Sequence, residues 1–589
     1  MRRQLPAQTK TILALSLLLS ATALTAARVT AADRVRPQHD GLPTAATCAE
    51  LGFPQQRADE DGATGKIQGL FQKRVRSSVA PLAPSPAPTM EMEAMAPVGG
   101  AVATADAIGG ELPYDTEKYP DATANPIKQV DAEPVSTFSI DVDTASYANV
   151  RRFLNDGTLP PRDAVRVEEM VNYFDYGYAP PTDPAVPFAI HTSVVPSPWA
   201  AGKEIVHIGL QGYDLAEDNR PPLNLVFLMD VSGSMNDPTK LPLVQKALNL
   251  LIDELRPEDH VSIAVYAGAA GAVLQPTPGD QKLKIRCAVD AMRAGGSTAG
   301  GEGLALAYQM AEQSHQKDSV TRVILMTDGD FNVGIADPEK LEDFVAEKRD
   351  TGVYLSVYGF GRGNYNDVMM QTLSQTGNGT AAYIDTLQEA RKLFRDDFSG
   401  SLFPIADDVK IQVEFNPDRV AEYRLIGYET RLLNREDFNN DQVDAGEVGA
   451  GASVTALYEI TPAGGKLSVD PLRYEDAPKK VSYEPDAELA YVKVRYKLPG
   501  ADTSELIEEP IGDADRPAAL AEAPEATRWA LAVAAYGQRL RGDPWMDRSF
   551  DWTAIGDLAQ GARGQDPFGI RAEFVQLVRA ADRAKSVNE

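Results

Sequence analysis

The segment spanning residues 222–395 alternates short apolar runs with amphipathic stretches, and this alternation restricts the fold more than any other feature of the chain. Runs this short and apolar are typical of strands that are buried on both faces of a sheet. The predicted strands are 223–229, 261–266, 323–326, 353–358 and 381–384, and a helix is predicted at 241–255. The pattern predicts a doubly wound, Rossmann-like parallel sheet, whose ligand crevice lies beyond the carboxyl ends of its strands.

A motif of oxygen donors follows the first predicted strand. The sequence DVSGSM places Asp230, Ser232 and Ser234 at alternating positions of a tight turn. Carboxylate and hydroxyl oxygens are the ligands that hard divalent cations prefer, and three of them leave a magnesium ion open to an outside ligand. The motif therefore predicts a site for Mg²⁺ or Mn²⁺ whose first task is binding.

Two further residues with oxygen donors are predicted to lie at the same crevice. Thr298 lies in the glycine-rich loop AGGSTAGGEG before a predicted helix, and Asp328 follows the predicted strand VILMT. With Asp230, Ser232 and Ser234 they complete the pattern of a metal-ion-dependent adhesion site. In this order and context, the segment resembles the von Willebrand factor type A (VWA) domain family.

This resemblance implies a role for each of the five residues. Asp230 would orient the other ligands and reach the metal through water, while the hydroxyls of Ser232 and Ser234 would bind it directly. Thr298 and Asp328 would change between direct and water-mediated contact as the site opens. An acidic side chain of a protein partner would then take the open position on the metal.

The flanks of this domain carry their own patterns. Residues 113–219 are predicted to form a small α+β module, with strands at 135–143, 188–195 and 204–211 and helices at 144–154 and 163–174. Residues 396–510 alternate like an antiparallel β unit, with predicted strands at 409–415, 420–428, 452–460 and 490–496, and residues 511–589 are predicted to be helical. In two runs, 133–174 and 427–460, the flanks closely resemble bacterial YfbK-type proteins. We expect their strands to pair in one β-sandwich into which the VWA domain (220–395) is inserted.

The beginning of the chain is typical of an exported protein. Arg2, Arg3 and Lys10 precede the apolar run 11–27, and small residues at 23–32 offer several cleavage points. This pattern predicts a signal peptide at 1–32, and export to the periplasm or cell envelope; an uncleaved signal anchor is the alternative. Residues 33–112 are rich in Pro and Ala and predict a disordered linker. Cys48 and Cys287 are the two cysteines of the chain and are too few for a disulfide framework; we expect them to remain unpaired, and a single bridge between them is the alternative.

The formal net charge of −28 disfavours nucleic acids and anionic membranes as partners. No apolar run after the signal segment reaches the length of a membrane span. The leading hypothesis is an exported, non-enzymatic protein that captures an acidic group of a protein partner through Mg²⁺ or Mn²⁺. A structural or assembly scaffold of the envelope, in which the metal is incidental, is the alternative.

A third hypothesis is a phosphatase-like hydrolase. Asp141 and Asp143 form a DxD pair at the end of a predicted strand, as in haloacid-dehalogenase-like enzymes, where one aspartate attacks phosphorus and the other handles the proton. The Thr or Val of that pattern is replaced here by Ala145. Capping of the following helix by Asp143 or Thr144 is the alternative interpretation.

Overall fold

The computed structural model of the chain describes residues 43–53, 117–121, 123–140, 142–183, 185–296, 300–329, 338–469 and 488–588. The predicted signal peptide, most of the predicted linker, Asp141 and Thr298 lie outside these residues. Among the described helices, none combines the length and the apolar character that a membrane crossing requires.

The helices and strands that precede the predicted VWA domain pack against later parts of the chain. The helices are α1 (Ala45–Glu50), α2 (Ala145–Asn155) and α3 (Val167–Asn172). The strands are β1 (Lys128–Gln129), β2 (Val135–Ser139), β3 (Phe188–Pro196) and β4 (Glu204–Gly212). The helix predicted from position 163 begins only at Val167, because a separate 3₁₀ turn occupies Arg162–Ala164.

The central domain is a doubly wound sheet covered by helices. Its strands are β5 (Leu223–Asp230), β6 (His260–Tyr266), β7 (Ala270–Pro278), β8 (Val320–Thr327), β9 (Val353–Phe360) and β10 (Ala381–Ile384). Its helices are α4 (Leu241–Glu254), α5 (Lys282–Ala291), α6 (Gly300–Ser314), α7 (Pro338–Arg349), α8 (Asp367–Thr376), α9 (Leu387–Arg391) and α10 (Phe398–Leu402).

The strand order β10-β9-β8-β5-β6-β7 confirms the predicted parallel sheet, with one addition. Strands β5, β6, β8, β9 and β10 run parallel, while β7 pairs with β6 in the antiparallel sense. The sequence did not predict β7 because an edge strand is half-buried and need not be continuously apolar. The central position of β5 places its carboxyl end in the middle of the ligand crevice.

The rest of the chain contains further strands and three long helices. The strands are β11 (Pro404–Phe415), β12 (Val420–Ile426), β13 (Leu432–Leu433), β14 (Gly446–Gly449), β15 (Ser453–Pro462), β16 (Ala490–Lys497) and β17 (Ser504–Ile511). The helices are α11 (Glu525–Arg541), α12 (Trp552–Gly561) and α13 (Ile570–Asn588).

Strands from both flanks are interleaved in two sheets, β1-β12-β15-β4-β3 and β13-β2-β11-β16-β17. The pairs β2·β11 and β4·β15 are antiparallel and join segments on opposite sides of the central domain. Between the sheets, the ring of Tyr458 in β15 packs against Phe138 and Phe415 at 6.3 and 5.2 Å. The predicted β-sandwich with an inserted VWA domain is therefore confirmed.

The helices of both flanks cover the outer face of one sheet of the sandwich. Trp529 and Tyr536 of α11 and Phe574 of α13 are fully buried in one cluster with Phe174, which follows α3. Sheet residues such as Ile205 belong to the same cluster. The C-terminal helices thus pack on the β unit, and they also pack against the N-terminal helices.

The prediction for the two cysteines is wrong. Cys48 of α1 and Cys287 of α5 form a disulfide, with their Cα atoms 5.2 Å apart, and both are fully buried. The prediction of a disordered linker at 33–112 therefore does not hold for residues 43–53, where α1 packs against the central domain. The pairing escaped the sequence analysis because 239 positions separate the two residues.

Candidate metal centre

Four of the predicted metal ligands meet at the carboxyl edge of the central sheet. Asp230 is the last residue of β5, and Ser232 and Ser234 follow in the next turn. Asp328 directly follows β8, which is the parallel neighbour of β5. Because the carboxyl ends of adjacent parallel strands lie side by side, the two aspartates come from different strands to one place.

Hydrogen bonds within the DVSGSM turn set the direction of its donors. The backbone N–H of Ser232 donates to Oδ1 of Asp230 at 2.8 Å. The hydroxyl oxygens of Ser232 and Ser234 are 2.9 Å apart. Asp230 and Ser232 are buried whereas Ser234 is exposed, so the donors lead from the interior to the surface.

Asp230 carries a buried oxygen that no well-formed hydrogen bond satisfies. Its Oδ2 atom is buried and has no hydrogen-bond partner among the described residues. Burial is the main cause that raises the pKa of Asp230 to about 6. Hydrogen bonding by Ser232 and Tyr266 opposes this shift, and the nearby charge of Asp328 adds to it. A cation beside this carboxylate would offset the cost of burying it as an anion.

Asp328 is also fully buried, but the protein itself provides its counter-ion. Nζ of Lys240 lies 2.8 Å from Oδ2 of Asp328 and 3.4 Å from Oδ1 of Asn364. Although burial opposes ionisation, the hydrogen bond and charge of Lys240 lower the pKa of Asp328, and the side chains of Ser234 and Asn364 lower it further. Asp328 is therefore an anion that faces Ser234 on one side and Lys240 on another.

The loop that carries Thr298 approaches the same turn. The N–H of Gly295 donates to the carbonyl of Val231 at 2.7 Å, and the N–H of Gly233 donates to the carbonyl of Gly296 at 3.1 Å. Thr298 itself lies outside the described residues, so its part in the site stays a prediction.

The residues present fit a hard divalent cation. Asp230 and Asp328 offer carboxylate oxygens, Ser232 and Ser234 offer hydroxyls, and one carboxylate oxygen is buried without a partner. These four side chains would hold the ion, which when bound would offer a coordination position to an oxygen ligand from outside.

Sequence reasoning missed Lys240 and Asn364. Lys240 lies in the turn before α4, and Asn364 lies in the loop after β9. The position of Asn364 after β9 could have revealed it, since polar residues that follow parallel strands gather at one edge.

Asp143 is the described residue of the candidate catalytic pair Asp141–Asp143, and its carboxylate is engaged in structural contacts. Oδ1 of Asp143 accepts a hydrogen bond from the N–H of Ala381 at 2.7 Å, and Oδ2 accepts one from Arg431 at 2.9 Å. Asp143 is 2% exposed and joins the start of β10 to the C-terminal flank. Thr144 is the N-cap residue of α2, but its side chain makes no capping hydrogen bond.

A doubly wound sheet with a DxSxS turn after one strand and an aspartate after its neighbour defines a VWA domain. The family described as von Willebrand factor type A domain matches residues 224–396. Two further families match the flanks, one described as von Willebrand factor at 113–207 and one described as Uncharacterized protein YfbK, C-terminal, at 400–584.

The chain is 45% identical over 481 residues to the uncharacterized protein YfbK of Escherichia coli (strain K12). The match covers 80% of this chain and 82% of that protein. The chain therefore belongs to the YfbK family of VWA-domain proteins.

Other relatives match smaller parts. The uncharacterized protein sll0103 of Synechocystis is 31% identical over 181 residues, which are 31% of this chain and 42% of that protein. Inter-alpha-trypsin inhibitor heavy chain H3 of Pongo abelii is 29% identical over 257 residues, which are 41% of this chain and 29% of that protein. A solved structure, von Willebrand factor type A from Catenulispora acidiphila, is 16% identical with a TM-score of 0.37, and the match covers 68% of this chain and 91% of that one.

Proposed function

We propose that this protein is an exported binding protein whose VWA domain holds Mg²⁺ or Mn²⁺ and, through the metal, an acidic group of a protein partner. The observation that carries the proposal is the buried, unpartnered Oδ2 of Asp230 beside the hydroxyl pair of Ser232 and Ser234. A carboxylate from a partner suits the open position of a hard cation because it is an anionic oxygen ligand.

The charge of the chain restricts that partner. With a formal net charge of −28, the protein repels acidic molecules at long range, so the attraction must come from the ion itself. Screening at physiological salt limits this repulsion to about 8 Å. We propose a partner that presents its acidic residue within basic surroundings, in an adhesion or an envelope protein–protein interaction.

Export is supported by two independent features. The first residues carry the charge and hydropathy pattern of a signal peptide. The buried disulfide between Cys48 and Cys287 is a second support, because disulfides persist in oxidising compartments such as the periplasm and are rare in the cytosol.

We propose that the protein binds its partner without catalysing a reaction. Both oxygens of Asp143 accept hydrogen bonds inside the protein, which disfavours the phosphatase hypothesis. The four described residues of the metal centre include no general base other than carboxylates that would be committed to the ion.

A scaffold role is the second candidate, and a specific observation favours it. Buried ion pairs such as Arg166–Asp367 (2.6 Å) and Arg151–Glu389 (2.8 Å) join the VWA domain to the N-terminal flank. A VWA domain fixed to its flank by buried ion pairs is suited to a structural role in an assembly as well as to ligand binding.

Calorimetric titration with Mg²⁺ and Mn²⁺ tests the proposal. We expect the wild type to bind one equivalent and Asp230→Asn to lose binding, because the buried carboxylate becomes neutral. Asp237→Asn is the matched control, since Asp237 is an exposed aspartate just beyond the same turn. Wild-type protein without metal binding would contradict the proposal. A scaffold role alone predicts that Asp230→Asn retains full function in cells.

Capture of partners tests the second step. The secreted protein, purified with Mg²⁺ or with chelator, should retain an envelope protein only in the presence of metal. Retention that survives both chelator and Asp230→Asn would favour the scaffold role.

A further inference from the structure

Lys240 lies at the metal centre, where its ammonium group faces a predicted ligand. Its Nζ atom donates to Oδ2 of Asp328 at 2.8 Å, and the Lys240 side chain is 10% exposed. Half of the carboxylate charge that the centre offers to a metal is therefore already balanced by the protein.

The stem of Lys240 is held in place by the loop after β9. Gly361 has a φ of +81°, and a Cβ atom there would lie 2.2 Å from Cε and 2.4 Å from Cγ of Lys240. The side chain of Lys240 passes so close to Gly361 that any larger residue at this position would clash with it. Lys240 is thus a packed part of the centre rather than a surface lysine that swings toward it.

The same loop interlocks with the residue after Asp328. Gly329 has a φ of +106°, and a Cβ atom there would lie 2.3 Å from the carbonyl oxygen of Asn364. The side-chain oxygen of Asn364 is 3.4 Å from Nζ of Lys240. Asp328, Lys240 and Asn364 therefore form one contact group whose members restrict one another.

The N-terminal flank fastens this loop from outside. The N–H of Gly363 donates to Oε1 of Glu117 at 2.9 Å, and Glu117 is itself paired with Arg152 of α2 at 2.7 Å. The N–H of Lys118 donates to the carbonyl of Tyr365 at 2.9 Å. The loop that packs on Lys240 is therefore held in part by the N-terminal flank.

We infer that Lys240 is an internal counter-ion that lowers the affinity of the centre for divalent cations by competing for the charge of Asp328. A metal held by Asp230, Ser232 and Ser234 would be attracted less strongly by Asp328, because Lys240 partly neutralises that carboxylate. The buried ammonium group of Lys240 would also repel the metal. Electrostatic terms between charges this close are large where water is excluded. This inference rests on the proposed function, because it presupposes that the centre takes a metal.

A second consequence concerns the protein without metal. Lys240 then stabilises a buried carboxylate that would otherwise be unpaired, so the centre stays folded while empty. Substituting Lys240 should make the protein more dependent on metal for stability, as expected when a ligand binds only the native state.

Titration of the full-length protein with Mn²⁺ alone tests the inference, with Lys240→Met, Lys240→Gln and Lys246→Met beside the wild type. We expect Lys240→Met and Lys240→Gln to bind Mn²⁺ more tightly by on the order of tenfold. Lys246→Met is the matched control, since it removes an exposed charge from the same region and should leave the affinity unchanged. Lys240→Gln keeps a hydrogen-bond donor and serves if the methionine variant does not fold.

Thermal unfolding of the same samples gives a second measurement. The rise in Tm on adding Mn²⁺ should be larger for Lys240→Gln than for the wild type. A role of Lys240 in folding alone would lower the Tm with and without metal by the same amount, and would overturn the inference.

The outcomes separate this inference from the proposed function. If the wild type binds Mn²⁺ and both Lys240 variants bind it equally or more weakly, the inference is overturned while the proposed function stands. If neither the wild type nor the variants bind Mn²⁺, both are overturned. Binding by the variants alone would establish Lys240 as a block and overturn metal binding by the wild type.

Discussion

Nε of Arg151 in α2 lies 2.9 Å from Oδ2 of Asp385, the residue that follows β10 of the VWA domain. The same guanidinium donates to Glu389 of α9 at 2.8 Å, and the hydroxyl of Tyr173 donates to Glu389 at 2.7 Å. Two carboxylates of the VWA domain thus converge on one buried arginine of the N-terminal flank. The domain is joined to the sandwich by this charge network as well as by its two chain connections.

Breaking this network should destabilise the whole protein. Arg151→Met leaves Asp385 and Glu389 buried without their counter-ion, and we expect the free energy of unfolding to fall by about 3 kcal/mol or more. Arg362→Met is the control, because Arg362 and its partner Asp156 are 53% and 40% exposed, and such pairs contribute less than about 1 kcal/mol. Urea denaturation of both variants measures the difference. Equal losses would contradict the importance of the buried network.

Loss of the disulfide should weaken the attachment of α1. The double variant Cys48→Ser/Cys287→Ser should lose roughly 2–5 kcal/mol of stability, as is usual for a native disulfide. Dithiothreitol should lower the Tm of the wild type to that of the double variant, whereas the Tm of the double variant should not change with the reductant. Free thiols titrated in denatured, non-reduced wild-type protein would show that the bond is not formed.

Substitution of the hydroxyl ligands should affect the metal without affecting the fold. Ser234 is exposed, so we expect Ser234→Ala to weaken Mn²⁺ binding by about tenfold or more while the metal-free Tm stays unchanged. The same result for Thr298→Ala would bring Thr298 into the site. Thr372→Ala is the control, since that hydroxyl donates to the carbonyl of Val368 in its own helix. The measurements are calorimetric titration and thermal unfolding.

Acidification should destabilise the sandwich through His207. His207 is 2% exposed, its Nε2 is 2.9 Å from the Tyr178 hydroxyl, and burial lowers its pKa to about 3. The unfolded chain, with an ordinary histidine pKa near 6.5, binds the proton more readily between pH 6.5 and 3. This contribution to stability is therefore complete above pH 6.5 and is lost as the pH falls toward 3. Between pH 7.5 and 5.5 it amounts to about 1.4 kcal/mol.

His207→Gln provides the comparison for that prediction. Glutamine does not titrate, so the variant should lose about 1.4 kcal/mol less than the wild type between pH 7.5 and 5.5. Urea unfolding curves at the two pH values measure the loss. Parallel losses in the two proteins would show that His207 is not the group responsible.

The VWA domain was predictable because its signals are local. Apolar runs identify β5, β6 and β8, and the rule that ligands gather at carboxyl ends of parallel strands brings Asp328 to Asp230 without any knowledge of packing. The edge strand β7 escaped because it is not continuously apolar. Flank strands were identified one by one, but only the resemblance to YfbK-type proteins suggested that they form one sandwich.

The sequence by itself determined the periodicity of the strands and helices, the family, and the positions of Asp230, Ser232, Ser234 and Asp328 at one edge of a sheet. Only the tertiary structure decided that Lys240 neutralises Asp328, that Cys48 pairs with Cys287, and that Arg151 holds Asp385. Periodicity and edge rules depend on neighbours along the chain. Contacts between residues that are tens or hundreds of positions apart depend instead on the register in which whole modules pack, and no local pattern records that register.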